Sequence, residues 1–290
     1  MLQMTSNTLS AEAQLHLTDV QNAINAMGTF DEKVTAAKNA WKNQTNNAAF
    51  NEIKRTLMGM CVHNTICNYC EATEGTDIEH ILPKSFFPEF AFVWENYLLA
   101  CKTCNSAYKL DKISVFDPPP VHKLSAVARG TEPTTPNTAM INIRLIDPST
   151  LIDLDLKNGT FFEKFPINTV EYEKARYTID EALFLNIRDN LREARESTFK
   201  EQFRNLSYAV LVHESSSFDE LDQHINTHEP FITIDRTKNF NDLKIELLDY
   251  IKNAILTKRH PTVWAEMKLQ YIAYPRLEDL FNRFRAALTW

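Results

Sequence analysis

The sequence predicts an α-rich α+β protein in which one compact cysteine-rich segment interrupts a mostly helical chain. Two observations predict this class. Apolar residues recur at helical spacing on both sides of the segment, and only five glycines accompany seven methionines and eighteen phenylalanines, which does not suit a turn-rich β fold. Two C-x-x-C pairs bracket residues 67–104. A segment closed by four thiols is typical of a small module held by a metal ion.

Three helices are expected in the first sixty residues. Ser10 is a suitable N-cap and Gly28 a suitable end for the first helix, placed at 10–27, and the second helix covers 31–44. The third helix begins near Asn47. Its apolar positions recur at helical spacing: Phe50, Ile53, Leu57 and Met60. We interpret these residues as a helical platform without chemistry.

The chain beyond the cysteine-rich segment is expected to contain short strands and then helices. The triple proline at 118–120 predicts a stiff connector. MINIRLIDP at 140–148 alternates partly and predicts a short strand, and the Asn-Gly pair at 158–159 predicts the turn of a hairpin. A capping box at 178–181 is the expected start of a helix. Further helices are expected over 187–212, after Ser217, from Asn241, from Thr262 and after Pro275.

The composition is that of an ordinary globular protein, with 290 residues of which 44% are hydrophobic and 24% are charged. The patterns above divide the chain into an N-terminal helical region (1–60), a cysteine-rich core (61–117), a linker (118–139) and a mainly helical C-terminal region (140–290).

The net charge of -7 bears on the kind of partner that the chain can hold by itself. Most proteins that bind nucleic acid gain affinity from Lys and Arg side chains that neutralise phosphates. Residues 236–290 hold ten Lys and Arg against six Asp and Glu, whereas the cysteine-rich segment is acidic. Either a basic surface is assembled in three dimensions, or a partner supplies much of the affinity for a nucleic acid.

Neither a signal peptide nor a membrane span is indicated. The N-terminal sequence MLQMTSNTLSAEAQ lacks a basic region and an apolar region, and no apolar run approaches the roughly 20 residues of a span. We therefore expect a cytoplasmic protein with no membrane partner. In that compartment C-x-x-C pairs are more often zinc ligands or redox thiols than disulfides.

The two cysteine pairs, Cys67 with Cys70 and Cys101 with Cys104, predict a structural zinc site. Four thiolates in two close pairs match the tetrahedral ligand set of such sites. A redox role is the weaker alternative, because no strand–C-x-x-C–helix unit is evident at either pair. Cys61 is interpreted as a thiol outside the site.

An acid-histidine pair between the cysteine pairs suggests a second kind of chemistry. Hydrolysis of a phosphodiester needs an activated water and a cation for the charge on the leaving oxygen. His80 has the side chain for the first task. Glu79 and Asn105 offer oxygen ligands for Mg²⁺, and Asn96 could orient the histidine or its loop. Each residue taken alone also has a purely structural interpretation. Adjacent residues on a flat strand point to opposite faces, so Glu79 and His80 share a site only where the strand twists or bends.

This arrangement resembles the HNH (ββα-metal) endonucleases that carry a four-Cys zinc clamp. The resemblance implies a first strand over Thr76–Ile81, a second over Tyr97–Ala100 and a helix over Lys102–Lys112. It implies that Glu79 and Asn105 hold a catalytic Mg²⁺ or Mn²⁺ ion, that His80 is the general base and that Asn96 positions it. The acid is Glu where Asp is commoner in that family, and the last motif position is Asn where His is commoner. Lys84 and Lys109 are expected to contact the phosphates of a substrate.

Over roughly residues 50–290 the chain is also similar to the retron-associated and Septu-type HNH subunits (PtuB-like). The runs that carry this similarity include IEHILPKSFFPEF, LDLKNGTFF and HPTVWAEM. The similarity implies a bacterial anti-phage effector that acts on nucleic acid with an ABC-type ATPase (PtuA-like). In some systems a retron reverse transcriptase and its DNA take part as well.

Two alternatives stay open. The chain could be a zinc-clamped module that binds nucleic acid or another protein and cuts nothing. It could also be a nuclease directed at RNA, such as a tRNA, rather than at DNA.

Overall fold

The structure is a computed structural model that describes residues 1–44, 47–62, 65–117 and 123–290. Contacts divide the chain into two compact units. Unit 1 comprises Met1–Asp155 and Thr160–Arg192, and unit 2 comprises Leu156–Gly159 and Glu193–Trp290. The fold is helix-rich with small two-stranded sheets, as the sequence predicts. Within the described residues, no helix has both the length and the hydrophobicity that a membrane span requires.

Three helices form the first part of unit 1: α1 (Ala11–Asn25), α2 (Phe30–Lys42) and α3 (Ala48–Met60). The Ser10 side chain caps α1, and Thr29 with Glu32 forms a capping box on α2. The apolar face predicted for α3 is buried throughout. α1 packs against both other helices. The three predicted helices are therefore confirmed, with ends shifted by one or two residues.

An antiparallel hairpin follows, made of β1 (Asp77–His80) and β2 (Tyr97–Ala100). Its register pairs Glu79 with Leu98 and His80 with Tyr97. Both strands lie where the sequence places them. The next element is a π-helix over Thr103–Lys109, shorter and wider than the expected helix. Its hydrogen bond from Leu110 N to Asn105 O spans five residues and is 2.9 Å long.

A second antiparallel pair joins β3 (Ser114–Phe116) to β4 (Leu124–Ala126). The predicted proline connector at 118–120 lies outside the described residues. The linker predicted over 118–139 is thus only partly described, and it contributes a strand to unit 1.

The strand predicted at 140–148 is wrong, because this segment turns at 143–145. Ile141 N donates to the Thr178 hydroxyl at 2.9 Å instead of to a neighbouring strand. Arg144 is buried, and its guanidinium donates to Tyr97 O at 2.8 Å. A buried guanidinium must find acceptors, so Arg144 ties this segment to β2. The partial alternation of apolar residues gave no sign of this contact.

The predicted hairpin at Asn158-Gly159 is confirmed by β5 (Ile152–Asp155) and β6 (Thr160–Glu163). The capping box predicted at Thr178 is wrong. The helix begins earlier, at α4 (Val170–Arg176), where Thr169 is the cap, and it continues as a π-helix over Tyr177–Ala182. Thr178 is fully buried, and its hydroxyl accepts the hydrogen bond from Ile141 N in the 140–148 segment.

Unit 2 is built from helices. α5 (Asp189–Glu214) crosses from one unit to the other along the chain, and α6 (Phe218–His228), α7 (Phe240–Leu256), α8 (Pro261–Gln270) and α9 (Pro275–Arg283) follow. Ser217 caps α6 as predicted, and prolines occupy the first position of α8 and of α9. On α7 the buried residues are Leu243, Leu247, Ile251 and Ile255, whereas Ile245 is exposed.

Contacts group the chain differently from the four predicted regions. The N-terminal helices, the cysteine-rich segment and the chain up to Arg192, apart from Leu156–Gly159, belong to one unit. The reason is packing across long sequence separations: α3 contacts β2, and α1 contacts the turn Pro88–Phe90 that follows β1. The N-terminal helices are therefore part of the scaffold of the cysteine-rich segment.

Candidate functional site

Four buried cysteines lie together: Cys67, Cys70, Cys101 and Cys104. Their sulfur atoms all lie within 4.8 Å of one another, and no disulfide joins them. Gly75 packs against Cys67 and against Leu99 of β2 so closely that an added Cβ would lie 3.0 Å from the Leu99 Cβ. The predicted ligand set is thus assembled, and it could hold a metal ion such as zinc. Cys61 lies outside the group, as expected.

Crowding of the sulfurs favours ionisation of part of the group. The hydrogen bond from the Cys104 thiol holds the pKa of Cys101 well below its usual range, and the same bond raises the pKa of Cys104. Thiolates are the form that binds metals. Arg188 adds a positive charge, because its Nη1 lies 3.4 Å from the Cys104 sulfur and its guanidinium stacks over Tyr108 at 4.7 Å.

The π-helix at 103–109 faces one side of β1. Asn105 donates through its amide nitrogen to the Asp77 carboxylate at 3.2 Å. Four residues later, Lys109 forms a buried ion pair with Glu79 and donates to His80 O at 2.7 Å. Residues two apart on a strand share a face, and residues four apart share a helix face. Asn105 therefore meets Asp77, and Lys109 meets Glu79.

The Glu79–Lys109 pair is deeply buried, with 5% of the acid side chain and 1% of the lysine side chain exposed. Burial raises the pKa of Glu79, and the neighbouring Lys109 opposes that shift. Lys109 was expected to contact a phosphate of the substrate, but its side chain is occupied by this buried ion pair. Its ammonium group is directed inward, because the buried Glu79 carboxylate needs a positive partner and the His80 carbonyl needs a hydrogen-bond donor.

His80 is buried on the other side of the hairpin end. Its ring packs edge-on against Trp41 of α2, with ring centroids 4.2 Å apart, and against its strand partner Tyr97 at 5.3 Å. The ring atom Nε2 lies 2.9 Å from Ala91 O. A carbonyl can only accept, so Nε2 carries the proton and Nδ1 of the neutral ring is an acceptor. Burial and the charge of Lys84 hold the pKa of His80 well below its usual range.

Asn96 fixes the loop that follows β1 rather than the imidazole itself. Its side-chain oxygen accepts from Leu82 N at 2.7 Å. Its amide nitrogen donates to Leu82 O at 3.0 Å and to Phe90 O at 2.8 Å. All three bonds lie within the loop between β1 and β2, which also supplies Ala91 O to His80. Asn96 thus acts on the histidine through this loop.

A cleft of about 370 Å³ brings the predicted residues to one surface. Glu79, His80 and Asn105 all line it, although the first two are adjacent on β1. They share the cleft because they lie at the end of the strand, where the chain turns away from the sheet. Lys84 lines the cleft as well, with its ammonium 5.4 Å from the centre of the Trp41 ring.

The rim of this cleft carries charged residues that sequence reasoning missed. Lys38 comes from α2, and Arg129 follows β4 and pairs with Asp111 at 2.6 Å. Lys38 and Arg129 are 91 positions apart in the chain, so no local pattern could have grouped them. Asp77 had a local signal, since it lies two residues before Glu79 on the same strand.

The N-terminal helices also shape the cleft. Gln21 of α1 is buried, donates to Pro88 O at 3.0 Å and accepts from Phe92 N at 2.7 Å. These bonds flank Ala91, the acceptor for His80. Together with Trp41 they fix the histidine from the α1 and α2 side. The interpretation of residues 1–60 as a platform without chemistry therefore omitted this role.

Replacing Lys109 by Met should destabilise the protein, because it leaves the Glu79 carboxylate buried without its partner. Loss of one member of a buried ion pair costs about 3–5 kcal/mol. Urea unfolding would measure the loss. The double variant Lys109→Met with Glu79→Gln removes both charges and should recover most of the stability. A single variant as stable as wild type would contradict the ion pair.

The chain matches no protein-family model, no curated protein and no solved structure. Its functional assignment therefore depends on the geometry of the cleft and of the cysteine group.

Proposed function

We propose that this protein is a metal-dependent endonuclease of the HNH type, in which the hairpin β1–β2 and the π-helix at 103–109 form the catalytic core. The observation that supports this best is the meeting of His80, Glu79 and Asn105 in one cleft. The four cysteines lie beside this core: Cys101 lies two residues before the π-helix, and Cys104 lies in its first turn.

His80 is the proposed general base. Its Nε2–H is engaged by Ala91 O, so the lone pair on Nδ1 can accept a proton from an attacking water. Burial lowers the pKa of His80, which keeps the ring in the neutral form that has a lone pair on Nδ1. Trp41 and Tyr97 hold the ring plane, and Asn96 holds the loop that carries the acceptor.

Glu79 and Asn105 would hold a Mg²⁺ or Mn²⁺ ion. A carboxylate and an amide oxygen are hard donors of the kind that these ions prefer, and Mg²⁺ commonly keeps several waters beside one or two carboxylates. The amide nitrogen of Asn105 is used by Asp77, which leaves its oxygen for another partner. When bound, the ion would stabilise negative charge on the leaving 3′-oxygen. Products would carry 5′-phosphate and 3′-hydroxyl ends.

The cysteine group is proposed to be a structural zinc site. All four positions are filled by thiols, which leaves no open position for a substrate. A Zn²⁺ ion with four thiolates carries a net charge of about -2, and Arg188 is placed to offset part of it.

Replacing Arg188 by Ala should weaken zinc binding by roughly 10- to 100-fold, the usual effect of removing a partner of a metal ligand. Competition with a coloured chelator would measure the change. Arg192→Ala is the matched control, because that arginine lies one turn away and pairs with the exposed Asp189. Equal zinc affinity in both variants would argue against the Arg188 contact.

The proposed substrate is nucleic acid, either DNA or an RNA such as tRNA. Lys84 and the rim residues Lys38 and Arg129 are positioned for phosphates around the cleft. The net charge of -7 favours a partner that brings the substrate. An ABC-type ATPase is the proposed partner, in a cytoplasmic anti-phage system of the retron or Septu type.

The activity is tested by incubating the purified chain, with and without a co-purifying ATPase, with DNA and with total RNA in Mg²⁺ or Mn²⁺. We expect metal-dependent cleavage in at least one of these mixtures. End analysis should find 5′-phosphates. Absence of cleavage in every mixture would overturn the proposal.

A second candidate is a zinc-clamped module that binds but does not cut. The buried Glu79–Lys109 ion pair favours it, because a catalytic cation would have to share or replace the lysine. In that case the cleavage assay fails while the four cysteines still bind zinc.

A further inference from the structure

A second cavity lies wholly within unit 2, on the chain that the catalytic proposal does not use. Its volume is about 520 Å³, within the roughly 300–1,000 Å³ of small-molecule sites. α5 forms one wall, and the start of α9 with the residues before it forms the other. Lys157, in the turn between β5 and β6, completes the lining.

Three aromatic rings form the apolar surface of this cavity: Phe199, Phe203 and Tyr274. The Phe199 ring lies 6.4 Å from Phe203 and 6.5 Å from Tyr274, measured between centroids. All three are only half-buried, so their faces are partly accessible. Rings spaced this way offer stacking surfaces for a flat aromatic ligand.

The charged residues that line the cavity are all basic: Lys157, Lys200, Arg204 and Arg276. All four are exposed, and Lys157 lies 5.7 Å from the centre of the Tyr274 ring. Lys200 also pairs with Glu196 at 2.5 Å. Four cations and no acid line this cavity, although the chain carries a net charge of -7. It indicates a ligand with several negative charges.

We propose that this cavity binds a nucleotide unit, with an unpaired base stacked on Tyr274 and the two phenylalanines and its phosphates on the arginines and lysines. Stacking rings beside a basic rim is the chemistry by which proteins bind single-stranded nucleic acid. A free nucleotide has the same base and phosphates. Binding here is independent of cutting, so the inference goes beyond the proposed function and survives its failure.

The test measures fluorescence anisotropy of a labelled single-stranded DNA of mixed sequence with the full chain, in buffer without added Mg²⁺ or Mn²⁺. Tyr274→Leu should weaken binding roughly 5- to 150-fold, because it removes one stacking ring. Tyr274→Phe keeps the ring and should bind like wild type. Circular dichroism would confirm that each variant is folded.

Charge is tested separately by the salt dependence of binding. Arg204→Ala and Arg276→Ala should each lower the slope of log K against log salt by about 0.7, as expected for one lost phosphate contact on a single strand. Arg259→Ala, an exposed arginine of unit 2 outside the cavity, should leave the slope unchanged.

Competitors identify the form of the ligand. Displacement by ATP would show that a free nucleotide suffices, and failure of ATP beside an effective unlabelled strand would show that a strand is required. The inference is overturned by absent binding, by equal affinity of Tyr274→Leu and Tyr274→Phe, by a duplex that binds as tightly as the single strand, or by equal competition from polyglutamate.

Discussion

Replacing His80 by Asn should lower cleavage by at least about 100-fold, since a general base contributes roughly 10²–10⁴-fold to the rate. Asn places an amide group where Nδ1 of the imidazole lies, and an amide has no nitrogen that can accept the proton of water. Single-turnover cleavage at saturating Mg²⁺ would measure the loss. His80→Ala should also stop cleavage, but it leaves a gap beside Trp41 and is expected to lower stability as well.

The matched control is His224→Asn, which changes a half-exposed histidine of α6 outside the cleft. It should retain wild-type cleavage. His80→Asn should keep its zinc, because the cysteine group does not involve His80. Wild-type cleavage rates in the His80→Asn variant would contradict the assignment of His80 as the general base.

Removal of zinc should produce the largest change in stability. Structural zinc sites contribute apparent binding free energies of about 10–16 kcal/mol in small zinc modules, and this binding energy stabilises the fold. Cys104→Ser should therefore lose the metal and leave the cysteine-rich segment of unit 1 unfolded under native conditions. Elemental analysis and amide hydrogen exchange of residues 65–117 would measure both effects.

Cys61→Ser provides the control within the same segment. Cys61 is buried and donates to Leu57 O at 3.3 Å, a bond that a serine hydroxyl can keep, but its sulfur is not one of the four grouped thiols. This variant should hold one zinc per chain, as wild type should. Folded wild-type protein with almost no zinc would refute the zinc proposal.

Local patterns predicted a large part of the fold. The spacing of Phe50, Ile53 and Leu57 specified a helix with one buried face, and Asn158-Gly159 specified a hairpin turn. These patterns suffice because helix and turn geometry depend on neighbours in sequence. The prediction failed at Arg144 and at Thr178, where a partner distant in the chain decides the backbone.

The cysteine group was also predictable, since four thiols in two close pairs match the ligand set of a structural metal site. The strand positions of Glu79 and His80 followed from the same segment. The side chains that surround Glu79 and His80 in the folded protein could not be predicted from that segment. A sequence pattern gives the order of ligands along a chain but not which side chains from other elements will approach them.

By itself, the sequence determined the helix-rich class and the four-thiol group, because each depends on short spacings, and the hairpin with its acid-histidine pair was expected from the resemblance. Only the tertiary structure decided that Lys109 pairs with Glu79, that Trp41 and Gln21 of the N-terminal helices fix His80, and that Arg188 reaches Cys104. The physical reason is burial. A charge or ring removed from water must find partners wherever the packed chain brings them, and that placement depends on contacts between residues far apart in sequence.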